Sequence, residues 1–150
     1  MIRRIINLDD VDAIALKSLG TEFYVESRMP GEFNFEHFMG SMRLAMDAKV
    51  LGLWVLEHNG EIIGAIGGLL APNVFTGKMI AVESFWFVTE KCRRGITGVR
   101  LLYAFIDWAV ESKATAIHMA YMCNIHPEHM AKFYMTSGFF PHETMYVRYL

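Results

Sequence analysis

The chain has 150 residues, close to the roughly 100–150 of one domain. It is 53% apolar and 20% charged, with a net charge of −2. That balance excludes a disordered polymer, and it lacks the basic excess of a dedicated nucleic-acid binder. The longest run without Asp, Glu, Lys or Arg, residues 62–77, is too short to span a bilayer and is broken by Gly64, Gly67, Gly68, Pro72 and Asn73. Residues 1–6 lack the apolar centre of a secretory signal. Two cysteines, Cys92 and Cys123, build no disulfide framework and read as reduced thiols. The expectation is one soluble, cytoplasmic domain over residues 1–150, with neither nucleic acid nor membrane as partner. The 11 methionines and 13% aromatic residues exceed the needs of a small core, so the surplus lines either a ligand cleft or a subunit interface.

In chain order, Ile2, Ile5 and Ile6 mark a short first strand. Asp9 or Asp10 can cap a helix with Val11, Ile14, Ala15 and Leu19 on one face, and Gly20 suits the left-handed residue that ends it. Residues 21–33, with Pro30 and Gly31, read as a loop. Asn34 caps a second helix carrying Phe35, Phe38, Met39, Met42 and Met46. The period then changes. Two apolar runs, 51–56 and 61–70, flank His58-Asn59-Gly60, and Asn-Gly is a strong hairpin signal because both positions accept positive φ. After a turn at 72–78, the run 79–88 holds one charge, Glu83, so it reads as a central strand buried on both faces. Val99, Leu102, Phe105, Ile106 and Ala109 then mark an amphipathic helix. Residues 116–122 read as another strand. Pro127 sits in the first turn of a helix that carries Met130, Phe133 and Tyr134 and ends at Gly138, and 144–149 closes the sheet. Trp54 and Trp108 read as core or interface residues. The order is β-α-α-β-β-β-α-β-α-β.

The chemistry concentrates where the central strand meets the next helix. Lys91, Arg93, Arg94 and Arg100 lie within ten residues, interleaved with Gly95 and Gly98. Bare backbone N–H groups at a helix N-terminus, amid positive charge, form a ready anion site. The plainer alternative is a glycine-containing turn with solvated charges. Glu83 is either a base whose proton affinity is raised by burial or the partner of a buried cation. His126 and His129, with Cys123 and His118 nearby, match neither metal-site spacing, so no metal is expected. Ser84 lacks the Gly-x-Ser-x-Gly setting of a nucleophile.

The strand, Arg-rich turn and helix over 86–102, the hairpin before them, and Tyr134-Met135-Thr136-Ser137-Gly138-Phe139 together resemble the GNAT acetyltransferase superfamily, in element order over essentially the whole chain. Glu83-Ser84-Phe85-Trp86-Phe87-Val88, followed by an Arg-Arg-Gly turn, is also similar to a subgroup often encoded by bacteriophages. The resemblance implies a three-layer α/β (α+β) fold, with a mixed, mostly antiparallel sheet between helices. It implies acetyl-coenzyme A as acyl donor, entering between strands 79–88 and 116–122, and an amine as acceptor. The family turn, Arg/Gln-x-x-Gly-x-Gly/Ala, falls on Arg93, Ile96 and Gly98. Ile96 stands where glycine is usual, and Gly95 comes one position early. Cofactor contacts are thereby implied for Arg93, Arg94, Gly95, Ile96, Thr97 and Gly98, and for the backbone of Trp86, Phe87 and Val88. Pro127 replaces the family asparagine seven residues before Tyr134, which leaves nearby Asn124 as the candidate. Glu83 is implied as general base and Tyr134 as general acid. Tyr24, Glu26 and Ser27 fall where the acceptor pocket is usually bordered. The departures at Ile96 and Pro127 leave open a non-catalytic module that binds coenzyme A or a protein. A homodimer built on the Met-rich faces is a third option. Small amines, polyamines, amino acids, peptide N-termini and protein lysines all remain as acceptors.

Overall fold

Apolar residues alternate across the strand β2 (Leu51–His58) and are buried on both sides of it. Leu51, Leu53 and Val55 enter one cluster, while Trp54 and Leu56 enter another. The remaining strands are β1 (Ile2–Arg4), β3 (Glu61–Pro72), β4 (Met79–Val88) and β5 (Ile117–His118). In the computed structural model, which describes residues 1–93 and 96–150, they form a sheet in the order β1-β2-β3-β4-β5. Every pairing is antiparallel except β4 with β5, which is parallel. Helices α1 (Asp10–Ser27) and α2 (Phe35–Asp47) cover one face, and α3 (Thr97–Glu111) covers the other. A fourth helix, α4, spans Pro127–Thr136. The chain divides into two compact units, Met1–Ala120 and Tyr121–Leu150.

Several local signals act as expected. Asn34 accepts from the His37 N–H at 2.9 Å, and Asn59 and Gly60 both take positive φ in the two-residue β2–β3 turn. In the second unit, Gly138 has φ +88°, the Phe139 N–H donates to the Tyr134 carbonyl at 3.0 Å, and the Gly138 N–H donates to that of Met135 at 3.2 Å. These bonds close the C-terminus of α4 as a Schellman motif. Trp54 and Trp108 are both core, their rings edge to face at 5.8 Å.

Other expectations are corrected. Helix α1 does not end at Gly20 but runs to Ser27, and Arg28 takes the left-handed cap at φ 55°. Glycine stands at position 20 because the Phe33 ring lies against it: a Cβ there would approach Phe33 Cζ to 2.5 Å. The loop therefore begins at Arg28 rather than at 21, so Tyr24, Glu26 and Ser27 are helical. The buried face of α1 also differs. Val11 and Ile14 are exposed, whereas Leu16, Leu19 and even Asp12 are buried. Arg3 makes Asp12 tolerable there, with Nη2–Oδ1 and Nη1–Oδ2 contacts of 2.6 and 3.0 Å. The strand expected over 116–122 shrinks to Ile117–His118. Residues 144–149 form no strand, and Met145, Tyr146, Val147 and Tyr149 are exposed. β-propensity without a paired neighbour and a buried face makes no strand.

The main irregularity is in the β3–β4 ladder. Gly67 pairs with Phe85 but Gly68 pairs with Glu83, so Ser84 is an extra residue, a β-bulge. Strict alternation would put positions 81, 85 and 87 on one face. Instead Ala81 packs on the α3 side, and Phe85 and Phe87 pack on the α1–α2 side. Two glycines opposite the bulge make room for it. A Cβ on Gly67 would sit 2.5 Å from Phe85 Cζ, and one on Gly68 would sit 2.5 Å from the Val82 carbonyl oxygen. Gly68→Ala is therefore expected to cost about 1–3 kcal/mol by overpacking. Gly40→Ala, in an open helical position with nothing within 4 Å, should gain about 0.5–1 kcal/mol. Urea denaturation of the two variants checks both signs.

Candidate functional site

Glu83 precedes the bulge, where the parallel ladder runs out: β4 pairs with β5 only at Ala81–Ile117 and Val82–His118. Beyond those pairs the Glu83 carboxylate takes over, accepting from the Ala120 N–H at 3.2 Å. Burial pushes the Glu83 pKa up to about 7, opposed by the Ala120 hydrogen bond.

From the bulge, β4 runs through Trp86, Phe87 and Val88, then a short 3-10 turn at Glu90–Cys92, into α3. Ile96 caps α3 without a side-chain hydrogen bond, no acid occupies the first turn, and the Ile96 side chain is 74% exposed. The positive end of the helix dipole is thus uncompensated by local side chains, which suits an anion. A Cβ on Gly98 would lie 3.5 Å from Val88 and 3.8 Å from Trp86, so glycine keeps a gap between helix start and strand. These features fit a pyrophosphate. Arg94 and Gly95 lie outside the described residues.

Arg93 faces inward. Its Nε donates to the Val88 carbonyl at 2.7 Å, both terminal nitrogens reach the Glu26 carboxylate at 2.5 Å, and the guanidinium lies 4.9 Å from the Phe87 ring centroid. The Glu26 bond raises the Arg93 pKa further above its ordinary value. Two residues assigned to different ligands are thus joined to each other, pinning the last turn of α1 to the end of β4. Ser27 is buried, its hydroxyl donating to the Tyr24 carbonyl at 2.8 Å. The Tyr24 hydroxyl donates to the Pro30 carbonyl at 2.5 Å, while Tyr24 lines a cavity of about 270 Å³ between α1, α2 and β4. The aromatic walls of that cavity, Phe23, Phe33, Phe38, Phe85 and Phe87, had only the surplus of aromatic residues as a sequence signal.

In the second unit Tyr134 is buried among the rings of Tyr121, Phe133 and Phe139, with centroids 5.6–6.2 Å away. Asn124 belongs to the same unit, in the turn before α4. Among the described residues, no group of three or more His, Cys, Asp or Glu could hold a metal. No helix among them is long and apolar enough to cross a membrane.

Two outcomes follow from this geometry. Between about pH 4.5 and 7 folded Glu83 holds a proton that the unfolded chain has lost. Stability should therefore fall as pH rises through that window, by about 3 kcal/mol in full, and Glu83→Gln should flatten the profile. Urea midpoints across the window read this out. Glu26→Ala should cost about 1 kcal/mol, since the ion pair is partly exposed. High salt should shrink that difference in the same assay.

Comparison with known proteins places this geometry. Solved structures of similar shape include a transcriptional regulator from Bacillus halodurans C-125 (18% identity, 99% of each chain, TM-score 0.79). An acetyltransferase from Trypanosoma brucei matches at 16% identity, 100% and 99% coverage and TM-score 0.74. AAC(6')-Iy, in complex with the bisubstrate analogue CoA-S-monomethyl-acetylneamine, matches at 14% identity, 100% and 97% coverage and TM-score 0.74. At these identities the likeness shows the fold alone. No curated protein sequence matches the chain significantly, and the likeness to phage-encoded members finds no support in the comparisons. Residues 15–139, however, match the acetyltransferase (GNAT) family. With most of its length matched, and with the fold expected of that group, the chain belongs to the GNAT acetyltransferase family.

Proposed function

We propose that this protein moves an acetyl group from acetyl-coenzyme A to a primary amine by direct attack in a ternary complex. The observation that carries the reading is Glu83: a half-buried carboxyl, its pKa raised to about 7, at the point where the β4–β5 ladder gives way beside a bulge. When bound, acetyl-coenzyme A supplies a thioester carbonyl, so that a C–N bond forms as the C–S bond breaks and the coenzyme leaves as its thiol.

Glu83 takes the proton that the amine loses, acting directly or through one water. Its proton affinity near pH 7 lets it alternate between carboxylate and acid without a large penalty in either state. Backbone N–H groups of residues 86–88 that point away from β3 polarise the carbonyl oxygen, as fixed dipoles do best. Tyr134 returns a proton to the departing sulfur. The segment 93–98, with Thr97 and Gly98 opening α3, holds the pyrophosphate. Arg93 acts indirectly, by tying the end of β4 to α1 through Val88 and Glu26, and Arg94, Gly95, Ile96 and Asn124 complete the cofactor set. No thiol is used as nucleophile, so no covalent acyl-enzyme forms.

With saturating substrates, kcat should rise with pH up to about 7 and then level as Glu83 ionises. Glu83→Gln should lower kcat by about 10²-fold or more and remove that limb. Tyr134→Phe should lower it by about 10-fold or more. If both variants transfer acetyl groups normally over the whole pH range, measured by release of free thiol, these roles are wrong. A non-catalytic module remains the second reading because Ile96 and Pro127 depart from the family pattern. Calorimetry that shows acetyl-coenzyme A binding, with no turnover on any amine or peptide, would favour it.

A further inference from the structure

The cavity on the α1–α2 side of the sheet is walled almost entirely by hydrocarbon. Its rings are tiled against one another, with Phe23 to Phe87 at 5.6 Å, Phe33 to Phe38 at 5.6 Å and Phe38 to Phe85 at 5.5 Å. No Asp, Glu, Lys, Arg or His lines it among the described residues. Two polar side chains do. The Tyr24 hydroxyl is already bonded to the Pro30 carbonyl, and Ser84 is the bulged residue next in the chain to Glu83.

We propose that this cavity holds the body of the acceptor, and that the acceptor is a monoamine carrying one aromatic ring or a branched alkyl group on a short spacer. The inference rests on the acetyl-transfer reading and narrows it. Charge argues for a single amine. An ammonium in an apolar cavity without a counter-charge is strongly disfavoured. Of the nearby carboxylates, Glu26 is occupied by Arg93, and Glu83 does not line the cavity: its β3 partner Gly68 faces Phe105 of α3, so it can meet only a single nitrogen carried on a spacer past the edge of β4. Size argues for a small body. A volume of about 270 Å³ lies below the roughly 300–1,000 Å³ of drug-sized sites, enough for a ring and a short chain. Polyamines and amino sugars would bury further ammonium or hydroxyl groups among phenylalanine rings, which offer neither a counter-charge nor a conventional hydrogen-bond partner.

The test measures kcat/KM for 2-phenylethylamine, ethylamine, spermidine and glucosamine by thiol release, together with 2-phenylethylamine binding by NMR. The variant is Met29→Trp, which fills the cavity from the half-buried residue just past α1. We expect 2-phenylethylamine to exceed each of the other amines by about 10-fold or more, the discrimination an apolar pocket provides. Met29→Trp should weaken its binding by about 10-fold while leaving acetyl-coenzyme A affinity unchanged. Should Met29→Trp fail to fold, Phe33→Ala replaces it and must shift preference toward a naphthyl amine. Spermidine or glucosamine matching the aryl amine overturns the inference, as does aryl amine binding that ignores the cavity variants. Loss of acetyl-coenzyme A binding together with turnover on every amine overturns acetyl transfer instead. In that case cavity-dependent binding of 2-phenylethylamine still decides whether the cavity takes an aryl monoamine as its ligand.

Discussion

An unpaired serine in β4 governs what surrounds it. Ser84 has no partner on β3, so the strand beyond it changes face: Phe85 and Phe87 turn toward α1 and α2, and Trp86 and Val88 toward α3. Were Ser84 regularly paired, Phe85 and Phe87 would share the face of Ala81, and the cavity would lose two of its rings. The bulge needs backbone without side chains opposite it, which is why Gly67 and Gly68 stand in a strand that otherwise favours branched residues. Beside it the ladder to β5 ends, and a carboxylate accepts the Ala120 N–H. The defect in regular pairing thus sits between an acid whose proton affinity burial raises and the floor of an apolar chamber.

Arg93, at a position of the family motif, is committed to partners within the protein. Its guanidinium binds a carboxylate from α1, a carbonyl from β4 and the face of Phe87. Planar, bidentate geometry of this kind fixes relative orientation better than a lone ammonium would. The end of α1 and the approach to the turn are therefore mechanically one piece. Structures only 14–18% identical share the backbone at TM-scores of 0.74–0.79. Apolar patterning and volume preserve such a frame, while the chemistry at individual positions is free to drift.

Much of the frame was legible because it is written in local rules. Asn59-Gly60 announced its turn, Asn34 its cap, and the run 79–88 its strand, since each depends on nearby φ preferences or on a continuous apolar run. Yet β4 is mostly half-buried, with Ser84 exposed, rather than buried on both faces, and it lies next to the edge strand. Glu83 stood out as the only charge in that run, and its altered proton affinity followed from burial. What stayed hidden depends on residues distant in sequence. Gly20 looks like a helix terminator until the Phe33 ring is seen resting on it. Asp12 looks solvated until Arg3 arrives from β1. Glu26 and Arg93 are 67 positions apart, and nothing in either neighbourhood signals the pair. The residues at 144–149 have strand-like composition, but strands require partners that composition does not supply.

The connections within the sheet also imply an order of assembly. Strands β2, β3 and β4 follow one another through short turns, so their contacts close small loops at little entropic expense. β5 reaches β4 only after α3 has crossed over, and it then secures two register pairs. The meander can nucleate early, while the parallel edge is added late and released first. The margin of the sheet beside Glu83 is thus the portion of its backbone whose amide protons should exchange most readily with solvent, a looseness inherited from topology rather than from composition.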